Sequence, residues 1–264
     1  MLRVPDGTGC WREISPRRSG VLQVRAHIPS ELESVTALRV LVVADLLARV
    51  AERGGVQALT AYVGDFEEPA DQQALRRIPD ALGLHGPTAL ARSEEELPPP
   101  NDSPADVHVA SAELAGQAGL QGLRLTVAGG RGSRREASGS SSPAKMLLAV
   151  GDAPLAVKLA MLSTSHMELV DLSADALEGA RRTILEWQRR VAGWAEFPSR
   201  PVPPEMATTI RRCFDRLDSP AVIRLLSELA GRDDIAQGAK FEAFIYADQI
   251  LALELERSIG QVDH

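Results

Sequence analysis

Hydrophobic residues in the first part of the chain follow strand-like and helix-like spacings in turn. Apolar residues alternate with polar or small ones over 21–27, which is typical of a β-strand. Over 31–53 they recur at steps of three and four, which predicts a long amphipathic helix that ends at Gly54-Gly55. A second strand-like run follows at 56–63. A strand, a helix of this length and another strand predict a crossover between parallel strands.

Shorter signals continue this alternation. A further helix is predicted to begin over 71–77 and to end near Pro79, and short strands are predicted at 107–109 and 123–127. The segment 93–104 is rich in Glu, Pro, Ser and Asn, and this composition predicts a surface loop.

From residue 154 onward the spacing of apolar residues is helical throughout. Five helices joined by short polar turns are predicted, and this pattern is typical of a helical bundle. Several of these helices are preceded or opened by serine or proline, which are common at helix starts. The predicted helices begin near Pro154, Ser173, Pro203, Ser219 and Phe241.

The length and composition fit a soluble protein with two domains. The chain has 264 residues, a net charge of −7 and two cysteines far apart in sequence, so we expect a cytoplasmic location and no disulfide framework. The N-terminus has no apolar signal segment, and the most hydrophobic run, 40–44, is too short to cross a bilayer, so no membrane association is expected. We predict a leader over 1–20, an α/β domain over 21–145 and a helical bundle over 146–264.

Several short stretches, in the same order and at similar spacing, resemble one enzyme family. Residues 38–47 read Leu-Arg-Val-Leu-Val-Val-Ala-Asp-Leu-Leu and resemble a helix that carries Arg and Val-Phe-Asp. Residues 60–68 resemble a segment that ends Thr-Asp-Val-Asp-Asp. Residues 159–166 resemble Leu-Leu-Ser-x-His-Tyr-Arg, and 215–220 resemble Asp-Leu-Asn-Thr-Pro. The family is that of the cysteinyl-tRNA synthetases and of their relative, the cysteine ligase of mycothiol synthesis.

This resemblance implies a fold and a set of partners. The fold would be a reduced class I synthetase domain, which is α/β and Rossmann-like with a parallel sheet, followed by the all-α bundle that these enzymes use against tRNA. The candidate partners are tRNA, a synthetase or ligase homologue, and a small ligand in the nucleotide cleft. A homodimer is a further alternative.

The residues on which the family's chemistry depends are absent. Its His-Ile-Gly-His signature falls on 34–37, which read Ser-Val-Thr-Ala, and nothing reads Lys-Met-Ser-Lys-Ser, so donors to the ATP phosphates are missing. Two cysteine positions of its zinc site hold Arg25 and Ser111. We therefore expect no catalytic residue, no metal and in particular no zinc, and a non-catalytic binding or regulatory paralogue.

Four residues are the candidates for a remaining nucleotide site, with ATP as the one cofactor left open. Gly129 and Gly130 follow a strand where the family has His-Gly-Gly-Gly, and Thr36 and Asp65 would lie at the same cleft. The alternatives are a plain turn at the two glycines and solvation of a loop at Asp65. A rival hypothesis is an enzyme of altered ATP- or adenylate-dependent ligase chemistry, which would use Thr36, Asp65 and the arginines of the predicted mobile loop 129–142.

Histidines and arginines elsewhere give two further groups of side chains to consider. The histidines show no spacing typical of metal ligands, and they are His27, His85, His108 and His166. The arginines of the predicted bundle either contact tRNA phosphates or pair with acidic residues at helical spacing. These arginines are Arg181, Arg182, Arg189, Arg190, Arg211 and Arg212, and the acidic residues are Asp175, Glu178 and Glu186.

Overall fold

A computed structural model describes residues 2–5, 11–14, 16, 20–29, 34–66, 69–98, 102–115, 122–132 and 153–261. The strands in these ranges are β1 (Arg3–Pro5), β2 (Trp11–Glu13), β3 (Val21–His27), β4 (Gln57–Val63), β5 (Ala89–Ala91), β6 (Val107–Ser111), β7 (Leu123–Val127), β8 (Gly130–Gly132) and β9 (Val170–Leu172). The helices are α1 (Val35–Arg53), α2 (Pro69–Leu82), α3 (Ala112–Ala115), α4 (Ala153–Leu162), α5 (Ala174–Trp194), α6 (Pro204–Phe214), α7 (Ser219–Ala230) and α8 (Gln237–Leu251). A 3-10 turn spans Glu94–Glu96.

Five parallel strands form one sheet in the order β5-β4-β3-β6-β7, with β3 at its centre. The chain runs outward from β3 through β4 to β5 and then returns across the sheet to β6 and β7. A strand order that reverses in this way is that of a Rossmann-like doubly wound sheet. The α/β class predicted from the sequence is confirmed, and so is the helical C-terminal region.

One face of the sheet is apolar and carries α1. Side chains alternate between the two faces of a strand, and on β3 the residues Leu22, Val24 and Ala26 share this face and are buried in the main core. The helices α4 and α8 also contact α1. Because α1 packs against both the sheet and the bundle, 15 of its 19 residues are buried.

The limits of two helices differ from those predicted. α1 begins at Val35 rather than at 31, because the side chain of Ser34 accepts a hydrogen bond from the backbone N–H of Ala37 at 3.1 Å and caps the helix. Residues 30–33 lie outside the described residues. α2 continues past Pro79, near which the predicted helix ends, and reaches Leu82.

The second face of the sheet is polar along β3 and apolar along β4 and β5. Gln23, Arg25 and His27 share this face by the alternation of β3. The connection from β5 to β6 passes here, and most of the described residues of the predicted surface loop 93–104 are exposed. Its Leu97 is buried in a small apolar cluster with Ala61, Val63, Ala89 and Ala91. The three-residue strand β5, which supplies part of this cluster, was not predicted.

The helices α4 to α8 form a bundle that continues the core of the α/β part. Trp187 and Trp194 of α5 both make edge-to-face contacts with Phe244 of α8, with ring centroids 5.4 and 5.1 Å apart. Ser173 caps α5, whereas α7 is capped by Asp218, one residue before the predicted cap. No described helix is both long enough and apolar enough to cross a membrane.

The predicted leader contains a two-stranded antiparallel pair, β1 with β2, that contacts the bundle. The backbone N–H of Arg3 donates to the carbonyl of Asp215 at 2.6 Å, at the end of α6. The guanidinium of Arg216 lies 5.7 Å from the ring centroid of Trp11. The predicted boundary between the two domains, at 145/146, falls outside the described residues.

The guanidinium of Arg39, in the second turn of α1, links the α/β part to the bundle. Arg39 is fully buried, and no carboxylate in the described residues pairs with it, so main-chain carbonyls solvate its charge. Desolvation lowers the pKa of Arg39 to about 10, and the charge of Glu168 acts in the opposite direction. The accepting carbonyls belong to Ala128, Gly129, Thr164, Ser165 and Glu168.

A second buried ionic group joins α1 to α4. The carboxylate of Asp45 accepts from Nε of Arg49 at 2.8 Å and from the backbone N–H of His85 at 2.9 Å. It also lies 3.8 Å from the ammonium of Lys158, which donates to the carbonyl of Ala252, just after α8, at 3.1 Å. Desolvation lowers the pKa of Lys158 to about 8.

Replacing Arg39 with methionine is expected to destabilise the protein strongly. Five partly buried carbonyls would lose the hydrogen bonds that Arg39 donates, and an unsatisfied buried polar group costs about 1–3 kcal/mol. We expect the free energy of unfolding, measured by urea denaturation, to fall by at least about 3 kcal/mol. Arg189→Met, at an exposed arginine of α5, is the control and should change it by less than about 0.5 kcal/mol. Equal effects of the two changes would contradict the role of Arg39.

His166 is expected to make stability depend on pH. Its Nε2 is buried without a hydrogen-bond partner in the described residues, and desolvation, followed by the charge of Arg39, lowers the pKa of His166 from 6.5 to about 4. The stability from the neutral ring is therefore fully present above pH 6.5 and is lost as the pH falls towards 4. As the pH falls, the unfolding free energy of His166→Phe should decrease less steeply than that of the wild type, by up to about 1.4 kcal/mol per pH unit. An unchanged pH profile of urea denaturation would show that His166 does not contribute.

Candidate metal centre

The carboxyl ends of β3 and β6 lie side by side where the strand order reverses. In open parallel sheets ligands bind beyond the strand ends at such a point, because the two connections leave in opposite directions and open a crevice. His27 is the last residue of β3, and His108 lies on β6 opposite Arg25. Since alternate residues of a strand share a face, both histidines project to the second face of the sheet.

The two imidazole rings converge on each other. Nε2 of His27 lies 2.9 Å from Nδ1 of His108, and the ring centroids are 5.1 Å apart. The side chain of His108 is 1% exposed and that of His27 is 12% exposed. Two ring nitrogens at this distance either share one proton or bind a common cation.

Glu94 completes a triangle of ligand atoms. It is the first residue of the 3-10 turn that follows β5, and its Oε1 lies 3.2 Å from Nδ1 of His108 and 3.7 Å from Nε2 of His27. Oε1 is buried, and in the described part of the chain no hydrogen bond of acceptable geometry reaches it. The contact with His108 is thus close enough for electrostatic attraction but is misdirected for a hydrogen bond.

The three atoms fit the face of a tetrahedral metal site. Zinc binds imidazole nitrogen and carboxylate oxygen at about 2.0–2.2 Å, so the ligand atoms of a tetrahedron lie roughly 3.3–3.6 Å apart. Of the observed separations, 2.9 and 3.2 Å are shorter than this range and 3.7 Å is slightly longer, so small shifts of the side chains would bring the three atoms to it. Two histidines and one glutamate are also a ligand set of catalytic zinc sites, which leave a fourth position open. The set formed by His27, Glu94 and His108 therefore fits a divalent metal.

The charge states of these groups favour cation binding. Desolvation and then the neighbouring His108 lower the pKa of His27 to about 4, so its ring is neutral at physiological pH. The interaction with His108 is the largest cause that lowers the pKa of Glu94, so its carboxylate is ionised. A neutral imidazole and an ionised carboxylate are the forms that bind metal.

Arg25 lies beside this cluster and is directed away from it by hydrogen bonds. Its guanidinium donates to the carbonyl of Ser103 at 2.7 Å and to Oε1 of Gln23 at 3.2 Å. Glu94 and Asp106 offset its charge electrostatically. Arg25, whose positive charge led us to expect no zinc, therefore has its charge offset by two carboxylates.

The four residues predicted for a nucleotide site fall into two places. A Cβ on Gly129 would lie 2.9 Å from Oγ1 of Thr36, and a Cβ on Gly130 would collide with the side chain of Val35, so three of them meet at the start of α1. The two glycines are required there by close packing of the chain against α1. Asp65 is exposed after β4.

The glutamate of the metal cluster had no clear signal in the sequence. Glu94 lies in a Glu- and Pro-rich segment whose composition predicts a solvated loop. His27 and His108 are 81 positions apart, and only the register of β3 with β6 brings them together. The sequence feature that could have indicated the site is the presence of polar residues at every second position of an otherwise apolar strand, namely Gln23, Arg25 and His27.

The arginines of α5 that were candidates for tRNA contact mostly pair with glutamates. Arg181 and Arg182 lie 3.0 and 4.0 Å from Glu178, and Arg190 lies 2.8 Å from Glu186. The alternative of helical ion pairs describes this surface better than a free cationic patch. The side chains of the arginines in loop 129–142 lie outside the described residues.

No protein-family model matches the chain, and no curated protein matches its sequence. The resemblance to cysteinyl-tRNA synthetases therefore rests on the residues quoted above. The fold and the site define a Rossmann-like α/β protein with a helical bundle and a candidate His-Glu-His metal centre.

Proposed function

We propose that this protein binds a divalent transition-metal ion, with zinc the best suited, through His27, Glu94 and His108, and holds a small ligand on the metal. The observation that carries this proposal is the convergence of two imidazole nitrogens and one carboxylate oxygen within 3.7 Å of one another. The open fourth position of such a site accepts a donor atom from a ligand. This replaces the expectation from the sequence that no metal is bound.

The position of the site supports a binding role. It lies at the carboxyl edge of the sheet at the strand-order reversal, where ligands of this fold class bind. A buried carboxylate oxygen without a well-formed hydrogen bond is costly for folding, and a cation would satisfy it. A polar cluster of this kind is therefore explained better by a ligand than by stability.

A second candidate function comes from the resemblance to cysteinyl-tRNA synthetases: a non-catalytic binding or regulatory paralogue in the cytoplasm, with tRNA, a synthetase or ligase homologue, or a second copy as partner. The order of a Rossmann-like sheet and a helical bundle supports it. An enzyme with altered ATP- or adenylate-dependent ligase chemistry is the alternative within this candidate.

The metal proposal is tested by titrating metal-free protein with Co²⁺ and Zn²⁺. We expect one ion per chain, a visible Co²⁺ spectrum of tetrahedral type, and displacement of Co²⁺ by Zn²⁺. His108→Gln and Glu94→Gln should each weaken Zn²⁺ binding by at least about 100-fold in competition with a chromophoric chelator.

His85→Gln is the matched control, because His85 lies outside the cluster and its side chain is 47% exposed. It should bind Zn²⁺ like the wild type. Circular dichroism of each variant checks that the fold is retained. Absence of Co²⁺ binding, or equal Zn²⁺ affinity in all four proteins, would remove the metal centre.

The second candidate predicts no adenylate chemistry. With cysteine and ATP, the protein should not exchange labelled pyrophosphate into ATP above a control without protein. Donors such as those missing at 34–37 each contribute about 2.7–4 kcal/mol to comparable transition states, so their loss should abolish detectable turnover. Cysteine-dependent exchange would instead establish the ligase alternative.

A further inference from the structure

A cleft at the far end of α1 from the metal centre is lined by arginines. α1 starts near the carboxyl edge of the sheet and ends, at Arg53, near the amino edge, and its 19 residues span about 28 Å. There a cavity of about 550 Å³ lies between α1, α6, α8 and the connection before α6. An adjoining cleft of about 380 Å³ shares Arg53, Arg211 and Tyr246 with it and is also lined by Asp215.

We infer that this cleft, which we call the arginine cleft, is a binding site for a small molecule that carries two phosphate groups. Its three cationic residues are Arg53, Arg200 and Arg211. In the part of the chain that the structure describes, none of the three pairs with a carboxylate, although the protein as a whole has a net charge of −7. Cations brought together without counter-ions repel one another, and a bound anion would remove this repulsion.

The acidic residue in the larger cavity does not neutralise these arginines. Oε1 of Glu242 accepts a hydrogen bond from Oγ of Ser199 at 2.6 Å. On α5, by contrast, Arg181 and Arg190 are each held by a glutamate one turn away. The arginine cleft therefore differs from the other arginine-rich surface of the bundle in lacking ion pairs.

The walls of the cleft are fixed by packing. The guanidinium of Arg53 lies over the ring of Tyr246, 5.1 Å from its centroid. The segment that carries Arg200 lies directly on α8, because a Cβ on Gly238 would collide with the carbonyl oxygen of Pro198. Arg53 and Arg211 also lie in the last turns of their helices, which stabilises each helix separately but does not account for a shared cavity.

The size and charge of the cleft indicate the class of ligand. Its volume is within the range of small-molecule sites, about 300–1,000 Å³. Guanidinium groups bind phosphate through paired, charge-assisted hydrogen bonds, and three of them match the charge of a diphosphate. The acidic protein as a whole disfavours an extended nucleic acid, whose binding needs a broad cationic surface.

The test uses inorganic pyrophosphate as the probe and isothermal titration as the measurement. Because pyrophosphate chelates metals, the titrations are done with EDTA and also in the His108→Gln variant, so that the result does not depend on the metal centre. We expect one pyrophosphate per chain, with an affinity that falls as salt rises. Arg200→Met and Arg211→Met should each weaken it by at least about tenfold.

Arg189→Met is the matched control, because Arg189 is exposed on another helix, and its affinity for pyrophosphate should equal that of the wild type. Citrate and a short RNA duplex are titrated in parallel. Tighter binding of citrate would assign the cleft to carboxylates, and RNA binding that depends on Arg211 without pyrophosphate binding would assign it to nucleic acid. Either result, or no pyrophosphate binding at low salt, would overturn the proposal.

Discussion

The guanidinium of Arg39 donates to main-chain carbonyls from two segments that are far apart in the sequence, one at Ala128 and Gly129 after β7 and one at 164–168 before β9. A buried cation is tolerated only when such acceptors surround it. The acceptors therefore fix α1 to the edge of the sheet and to the start of the bundle together. The helix α1 packs against both the sheet and the bundle. The close contact of Gly130 with Val35 and the position of the bundle therefore depend on the guanidinium of Arg39.

The elements that could be predicted from the sequence are those determined by residues that lie close together in the sequence. The three-and-four spacing of α1 and the cap at Ser173 are properties of adjacent residues, and both occur in the structure. The three-residue strand β5 is too short to leave a periodic signal. Glu94 enters the candidate site only because Leu97 anchors its segment on the second face of the sheet, and a composition rich in Glu and Pro gives no sign of that burial. The acceptors of Arg39 are equally non-local.

The polar second face explains why the His-Glu-His cluster differs from an ordinary buried network. Arg25 and Gln23 form hydrogen bonds there, since Arg25 donates to Ser103 and the backbone N–H of Gln23 donates to Asp106 at 2.9 Å. The carboxylate oxygen Oε1 of Glu94 is buried beside two imidazoles without such a bond. Apolar residues at these positions would extend the adjoining apolar cluster at lower cost. The cluster therefore lowers the stability of the folded protein, as binding sites commonly do.

The helix α1, whose C-terminal end lines the arginine cleft, is held in place along its length. Near its start it is fixed by the carbonyls around Arg39, and further along it is fixed by Asp45, which binds Arg49 and the backbone of His85. Sliding α1 by one turn would break both sets of bonds, and each set joins parts of the chain that are distant in sequence. The metal centre lies on the face of the sheet opposite α1, and the arginine cleft lies at the C-terminal end of α1. The two candidate sites thus belong to different parts of the fold and would take separate ligands.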